Sequence, residues 1–136
     1  MTARDQLQGV RRIQRQINIK LERIEELETI VNKVNTAYSN MPRGSHDPHR
    51  REATLAELID MKNELMDMVD ELIDEEKYIR YAIDEMTDET HKDIIEQVYI
   101  NGKNLSDIAD SMGITARQIY RLRDNAIAEM EMILNT

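Results

Sequence analysis

Apolar side chains recur every seven residues near the start of the chain, and a second apolar series follows the first by three positions. The first series is Val10, Ile17, Ile24, Val31 and Tyr38, and the second is Ile13, Leu27 and Val34. This spacing is the a/d pattern of a coiled-coil helix. Lys20 interrupts the second series, but no proline or glycine breaks the run from Val10 to Ser39. The pattern predicts one helix over roughly residues 4 to 38.

A second apolar seam follows, and it is wider than the first. Its members are Leu58, Met61, Leu65, Met68, Leu72, Ile79, Ala82 and Met86, flanked by Ile59, Met66, Val69, Ile73 and Ile83. It predicts a helix over about residues 52 to 86 that contacts more than one neighbour. Pro42, Gly44 and Pro48 lie between the two patterns and predict a loop over residues 39–51. The matched helix lengths favour an antiparallel hairpin, and the wide seam leaves room for a homodimer.

The two predicted helices carry charge of opposite sign where they would meet. Residues 4–23 have six basic and two acidic side chains, a net charge of +4, whereas residues 67–76 have six acidic and no basic ones. An antiparallel hairpin would pair these stretches, unless the acidic run is simply a solvated helix face. A third interpretation is that the arginine-rich start of the chain contacts nucleic acid or another anionic surface.

The composition narrows the fold and the class of protein. The 136 residues include no Cys, Phe or Trp and only two Pro and four Gly, which favours long helices and excludes disulfides and thiolate chemistry. No apolar run approaches the ~18 residues of a membrane span, and the start of the chain lacks a signal-peptide core, so we expect a soluble, cytoplasmic protein. The net charge of −9 argues against a protein that coats nucleic acid through bulk charge.

Residues 104–127 match the helix-turn-helix template at each constrained position. Ala109 is small, as a close crossing of two helices requires, and Gly113 permits the positive φ that ends the first helix. Thr115 and Gln118 have the spacing of a capping box, which starts the second helix. The expected shared core of the two helices is Ile108, Met112, Ile114, Ile119 and Leu122.

The outer face of the predicted second helix suits DNA. Arginine matches the two acceptors of guanine and glutamine matches adenine, and the first turns of a recognition helix meet base edges in the major groove. The predicted base-reading residues are Arg117, Gln118 and Arg121. The predicted phosphate contacts, which position a protein without reading sequence, are Lys103, Thr115, Tyr120 and Arg123.

The acidic charge of the surrounding module lowers the DNA affinity that we expect of this helix face. Residues 86–136 carry five basic and nine acidic side chains, a net charge of −4. A single module should therefore bind double-stranded DNA weakly. A homodimer, a higher oligomer or tethering to a larger DNA-bound complex would supply the missing affinity.

Two resemblances follow from these residues. The stretch DIIEQVYINGKNLSDIADSMGITARQIYRLRDNAI, residues 93–127, resembles region 4 of sigma-70 factors, and the likeness extends over roughly residues 87–130. With the Met41-Pro-Arg-Gly-Ser45 loop and its flanking helices, the whole chain is similar to phage and prophage late transcriptional regulators of the RinA/ArpU type and to related phage proteins of unknown function. That similarity implies DNA binding and transcriptional control of phage genes in a bacterial host cell. By position, it implies that Thr115, Arg117, Gln118 and Arg121 face DNA.

The resulting hypothesis is an all-α transcriptional regulator. A long, coiled-coil-like antiparallel hairpin over residues 1–86 is expected to serve oligomerisation or contact with RNA polymerase, and a helix-turn-helix module over residues 87–136 is expected to bind DNA. One alternative is a small terminase-type DNA-packaging protein, which ring-like oligomers would favour. Another is a coiled-coil adaptor that binds protein instead of DNA, which the acidic balance favours.

Enzyme chemistry is not expected. His46, Asp47 and His49 cluster in the predicted loop, but that loop offers no scaffold to hold a metal ion. The sequence also has no phosphate-binding glycine loop, nucleophile elbow or HExxH motif. It therefore predicts no metal, no cofactor, no small-molecule substrate and no membrane partner.

Overall fold

The computed structural model describes the backbone of residues 2–40 and 48–135 and the side chains of residues 2–33 and 49–135. Within these ranges the chain forms five α-helices and one π-helical turn, and it has no β-strand. The helices are α1 (Ala3–Asn40), α2 (Pro48–Glu85), α3 (Glu89–Ile95), α4 (Leu105–Met112) and α5 (Ala116–Leu134), and the π-helical turn is Glu96–Ile100. The predicted all-α class is confirmed.

The two long helices reach further into the predicted loop than expected. α1 continues to Asn40 and α2 begins at Pro48, so residues 39–40 and 48–51 are helical and the predicted loop boundaries are wrong there. Proline is tolerated in the first turn of a helix because its missing N–H would have no partner within the helix. The remainder of that loop, with Pro42 and Gly44, lies outside the described residues, as do His46 and Asp47.

Contacts divide the chain into two compact units. The first, here called the hairpin unit, is Arg15–Asp70. The second, here called the terminal unit, is Met1–Gln14 together with Glu71–Thr136. The start of α1 thus belongs with the predicted DNA-binding module, whereas the functional boundary at residue 86 stays a prediction.

The hairpin unit pairs its stretches of α1 and α2 through a small apolar core and ion pairs. The core consists of buried Ile24, Leu27 and Leu58 with Val31, Met61 and Leu65 packed against them. Lys20 pairs with Glu64, Arg23 Nη2 lies 3.4 Å from Glu57 Oε1, and Lys62 Nζ lies 3.0 Å from Glu28 Oε1. In each pair one residue belongs to α1, before segment 41–47 in the sequence, and the other belongs to α2, after it. These ion pairs therefore join the two helices of the hairpin.

The predicted ion pairing between residues 4–23 and 67–76 is not found, although the structure describes every residue of both stretches. The ion pairs of the acidic run stay within α2, where Asp74 meets Lys77 and Glu76 meets Arg80. Most carboxylates of that run are exposed, as on a solvated helix face. The arginines at the start of α1 instead reach other parts of the terminal unit, described below.

The core of the terminal unit draws on five helices. Its fully buried large side chains are Leu7, Val10, Ile79, Ile94, Ile95, Ile108, Ile119 and Met130. Each such side chain contributes roughly 1.5–3 kcal/mol by leaving water. The first turns of α1 and the last turns of α2 are therefore structural parts of the unit that holds α4 and α5.

Candidate nucleic-acid interface

α4 ends in a sharp turn that aims the chain into α5. Gly113 has φ 69° and ψ 32°, the left-handed conformation that glycine adopts without strain. Its N–H donates to Asp110 O at 3.2 Å, and the N–H of Ile114 donates to Ala109 O at 3.0 Å. These two bonds form a Schellman motif, so the predicted role of Gly113 is confirmed.

α5 begins with a complete capping box. The N–H of Gln118 donates to Thr115 Oγ1 at 3.1 Å, and the N–H of Thr115 donates to Gln118 Oε1 at 2.9 Å. α4 has a simpler cap, in which the N–H of Asp107 donates to Asn104 Oδ1 at 2.8 Å. The first turns of α4 and α5 are therefore each fixed by capping side chains that accept a backbone N–H three residues away.

The predicted shared core of α4 and α5 is present with one exception. Ile108, Ala109 and Ile119 are buried, and Ile114 and Leu122 pack against the same core. Met112 was predicted to belong to this core, but it is 37% exposed. It is the last residue of α4, where the chain already turns away at Gly113.

Arg117, Gln118 and Arg121 are exposed on the first two turns of α5. Arg117 and Arg121 are one helical turn apart and share a face. Among the ion pairs of the described residues, neither takes part in one. Gln118 differs, because its side-chain oxygen already accepts the Thr115 N–H, and a paired hydrogen bond with adenine would need the same oxygen. Base reading by Gln118 stays a prediction, but its structural role is capping.

The four predicted phosphate contacts occupy different environments. Lys103 and Thr115 are exposed, and Tyr120 is half exposed. Arg123 is tied into a small cluster, with its guanidinium carbon 5.2 Å from the centroid of the Tyr120 ring. Its Nη2 also lies 3.2 Å from Asp124 Oδ1. Arg123 is thus held along the flank of α5, while the other three face solvent.

Sequence reasoning missed that α1 supplies a second arginine to this cluster. Arg4 Nη2 donates to the same Asp124 Oδ1 at 3.2 Å. Partial burial raises the pKa of the Asp124 carboxyl, but the hydrogen bonds from Arg4 and Arg123 outweigh it, so the pKa lies below its ordinary value. No local pattern could have revealed the contact, since Arg4 and Asp124 are 120 positions apart.

Two backbone carbonyls of the π-helical turn accept hydrogen bonds from α1. Val98 and Tyr99 lie near the end of the turn, where helix carbonyls have no partner within the helix. Arg11 Nη1 donates to Val98 O at 3.1 Å and Gln14 Nε2 donates to Tyr99 O at 2.6 Å. Arg11 also reaches Lys103 O at 3.4 Å, just before α4. Burial raises the pKa of the Tyr99 hydroxyl.

A second polar cluster ties α3 to α5. His91 Nδ1 and Glu129 Oε2 lie 2.6 Å apart, and the N–H of Thr87 donates to Glu129 Oε1 at 2.8 Å. Burial raises the pKa of the Glu129 carboxyl, but the hydrogen bonds from His91, Thr87 and Asp88 lower it by more. The pKa therefore lies below its ordinary value. These contacts hold α5 against α3, and they involve residues other than Arg117 and Arg121.

In the part of the chain that the structure describes, no group of three or more His, Asp or Glu side chains is placed to hold a metal ion. No described helix combines the length and apolar character needed to cross a bilayer.

A family model described as "Protein of unknown function (DUF1492)" matches residues 38–131, which is more than half of the chain. The match includes α2 to α4 and most of α5, and it begins after the α1 residues that dock onto the terminal unit. Neither the curated proteins nor the solved structures include a match to this chain.

Proposed function

The chain belongs to the DUF1492 family, and we propose that it is a sequence-specific DNA-binding regulator of transcription that inserts α5 into the major groove. The resemblance to sigma-70 region 4 and to RinA/ArpU-type regulators supports this proposal, and it makes phage or prophage genes the expected targets. RNA polymerase is a further expected contact.

The observation that carries the proposal is the pair Arg117 and Arg121, which are exposed on the first turns of α5 and take part in no ion pair among the described residues. The capping box and the left-handed Gly113 turn fix where α5 begins. Two guanidiniums one turn apart can each reach the O6 and N7 acceptors of a guanine, while the rest of α5 packs against the core. Because no carboxylate in the described part of the chain pairs with either arginine, neither has to break such an ion pair in order to bind DNA.

A second copy of the chain would supply the affinity that one acidic module lacks. In the hairpin unit, the outer face of α2 exposes Ile59, Met66 and Val69, and their seven- and three-residue spacing is that of a coiled-coil seam. We therefore propose a homodimer through this face of α2, with two α5 helices binding two half-sites.

Selection from a randomised pool of double-stranded DNA tests the proposal. We expect the wild-type protein to enrich a motif that contains guanine, and the variant Arg117→Ala/Arg121→Ala to lose that enrichment. The matched control is Lys77→Ala/Arg80→Ala, which removes the same formal charge from exposed positions of α2. Enrichment that survives loss of Arg117 and Arg121 would refute the role of α5.

The acidic net charge favours one other function, that of an adaptor that binds protein through the helix pair. A wild-type protein that enriches no DNA sequence at either low or moderate salt would favour that function over DNA reading. The control variant separates a specific role of Arg117 and Arg121 from an effect of bulk charge, because a bulk-charge effect would appear in both double variants.

A further inference from the structure

We infer that the first turn of α1 forms part of the same DNA surface, where Arg4 binds a backbone phosphate beside α5. This inference rests on the proposed DNA-binding function and adds a contact residue from the opposite end of the chain. It would make the DNA surface a product of the folded terminal unit and not of the helix-turn-helix segment alone.

The first step is the position of Asp124. It follows Arg117 by seven residues and Arg121 by three, so these three side chains lie along one face of α5. Asp124 is 53% exposed, and an unscreened carboxylate at this place would repel the phosphates flanking a bound α5. A DNA-binding helix with this sequence therefore needs a cation next to Asp124.

The second step is that two guanidiniums meet this carboxylate. Arg4 Nη2 and Arg123 Nη2 each lie 3.2 Å from Asp124 Oδ1. Two positive charges and one negative charge leave the cluster with a net charge of +1. The Tyr120 ring lies beside Arg123, with the guanidinium carbon 5.2 Å from the ring centroid. The cluster can thus attract a phosphate in spite of its carboxylate.

The third step is the donor capacity of Arg4. A guanidinium carries five N–H donors in a planar fork, and the contact with Asp124 uses the Nη2 end. The side chain of Arg4 is 47% exposed, and among the described residues its guanidinium makes no hydrogen bond other than the one to Asp124. Arg4 can therefore hold Asp124 and bind a phosphate oxygen at the same time.

The fourth step is that the backbone carrying Arg4 is fixed. The Ala3 N–H donates to the Glu131 carboxylate, Leu7 and Val10 are buried, and Arg11 is bound to Val98 O and Lys103 O. A phosphate contact made by a side chain on a fixed backbone loses less conformational entropy than one made from a free chain end. The same contacts place Arg11 beside the backbone of Lys103, a predicted phosphate contact.

The experiment measures DNA affinity as a function of salt for the full chain, with the DNA selected by the wild-type protein. The variants are Arg4→Gln, Asp124→Asn, the double variant Arg4→Gln/Asp124→Asn, and Arg117→Ala/Arg121→Ala. The matched control is Arg23→Gln, since Arg23 is 44% exposed and paired with Glu26 and Glu57 in the hairpin unit. Circular dichroism melting confirms that each variant is folded.

The inference expects a lost phosphate contact. Arg4→Gln should weaken binding roughly fivefold to tenfold at 0.1 M salt and reduce the slope of log affinity against log salt by about 0.9. Asp124→Asn should strengthen binding, and Arg4→Gln should still reduce the slope in the Asp124→Asn background. Arg23→Gln should leave both quantities unchanged.

Three results would overturn the inference. If the double variant has the slope of Asp124→Asn, then Arg4 acts only by neutralising Asp124 and binds no phosphate. If Arg4→Gln matches the wild type while Arg117→Ala/Arg121→Ala abolishes binding, the α5 proposal stands and the α1 contact is wrong. If the wild-type protein selects no DNA, the proposed function itself fails and the inference fails with it.

Discussion

Substituting Leu7 by alanine is expected to destabilise the terminal unit, although Leu7 lies far in sequence from the helices it supports. Its side chain is 0% exposed and packs in the core that also holds Ile108, Ile119 and Met130. Truncating a fully buried leucine removes transfer free energy and leaves a cavity, at a cost of about 2–5 kcal/mol. That is a large part of the roughly 5–15 kcal/mol by which a typical domain is stable.

Tyrosine fluorescence during urea denaturation is the appropriate assay. The chain has no Trp, and four of its five tyrosines, Tyr78, Tyr81, Tyr99 and Tyr120, belong to the terminal unit. With a urea slope of about 2 kcal/mol per M, the loss should lower the unfolding midpoint by about 1–2.5 M. The control is Leu21→Ala, a substitution on the same helix at a side chain that is 40% exposed.

A Leu7→Ala midpoint that moves no further than the Leu21→Ala midpoint would refute the docking of α1. A related result would do the same. If a fragment of residues 87–136 unfolded with the same cooperativity and stability as the full chain, the α1 contacts would contribute nothing to the module.

Three further outcomes test local features and the proposed dimer. Gly113→Ala should lower the free energy of unfolding by roughly 1–2 kcal/mol, because φ 69° is strained for any residue with a Cβ, and a melting temperature equal to the wild type would contradict this. Glu129 has a depressed pKa, so its contribution to stability is present above the ordinary value of 4.5 and is lost as pH falls through the folded pKa. Glu129→Gln should therefore flatten the acid side of the stability profile measured by urea titration, and an unchanged profile would exclude that contribution. Ile59→Asp/Met66→Asp should halve the mass seen by sedimentation velocity, whereas Ile19→Asp, on α1, should not; a monomeric wild-type protein would rule out the dimer.

The sequence predicted features whose causes lie within a few residues of one another. The end of α4 at Gly113, the capping box at Thr115 and the exposure of Arg117 and Arg121 all follow from local backbone hydrogen bonds and helical periodicity. The heptad pattern likewise predicted α1, because the same apolar repeat that drives packing also marks one face of a helix.

Local patterns were less informative where a boundary depended on a single residue. Proline is common in loops, yet Pro48 is the first residue of α2, because proline also suits the first turn of a helix. Met112 has the spacing of a core residue but lies at the end of α4, where the turn exposes it.

Only the tertiary structure decided which charges meet. One interpretation of the charge pattern paired the start of α1 with residues 67–76. In the structure, Arg4 reaches Asp124, and Arg11 reaches the carbonyls of Val98, within the π-helical turn, and Lys103, after it. The physical reason is that exposed ion pairs are weak, so they follow the packing of the apolar core and do not direct it. Burial of Leu7 and Val10 against the terminal unit places the arginines, and those contacts join residues that no sequence spacing connects.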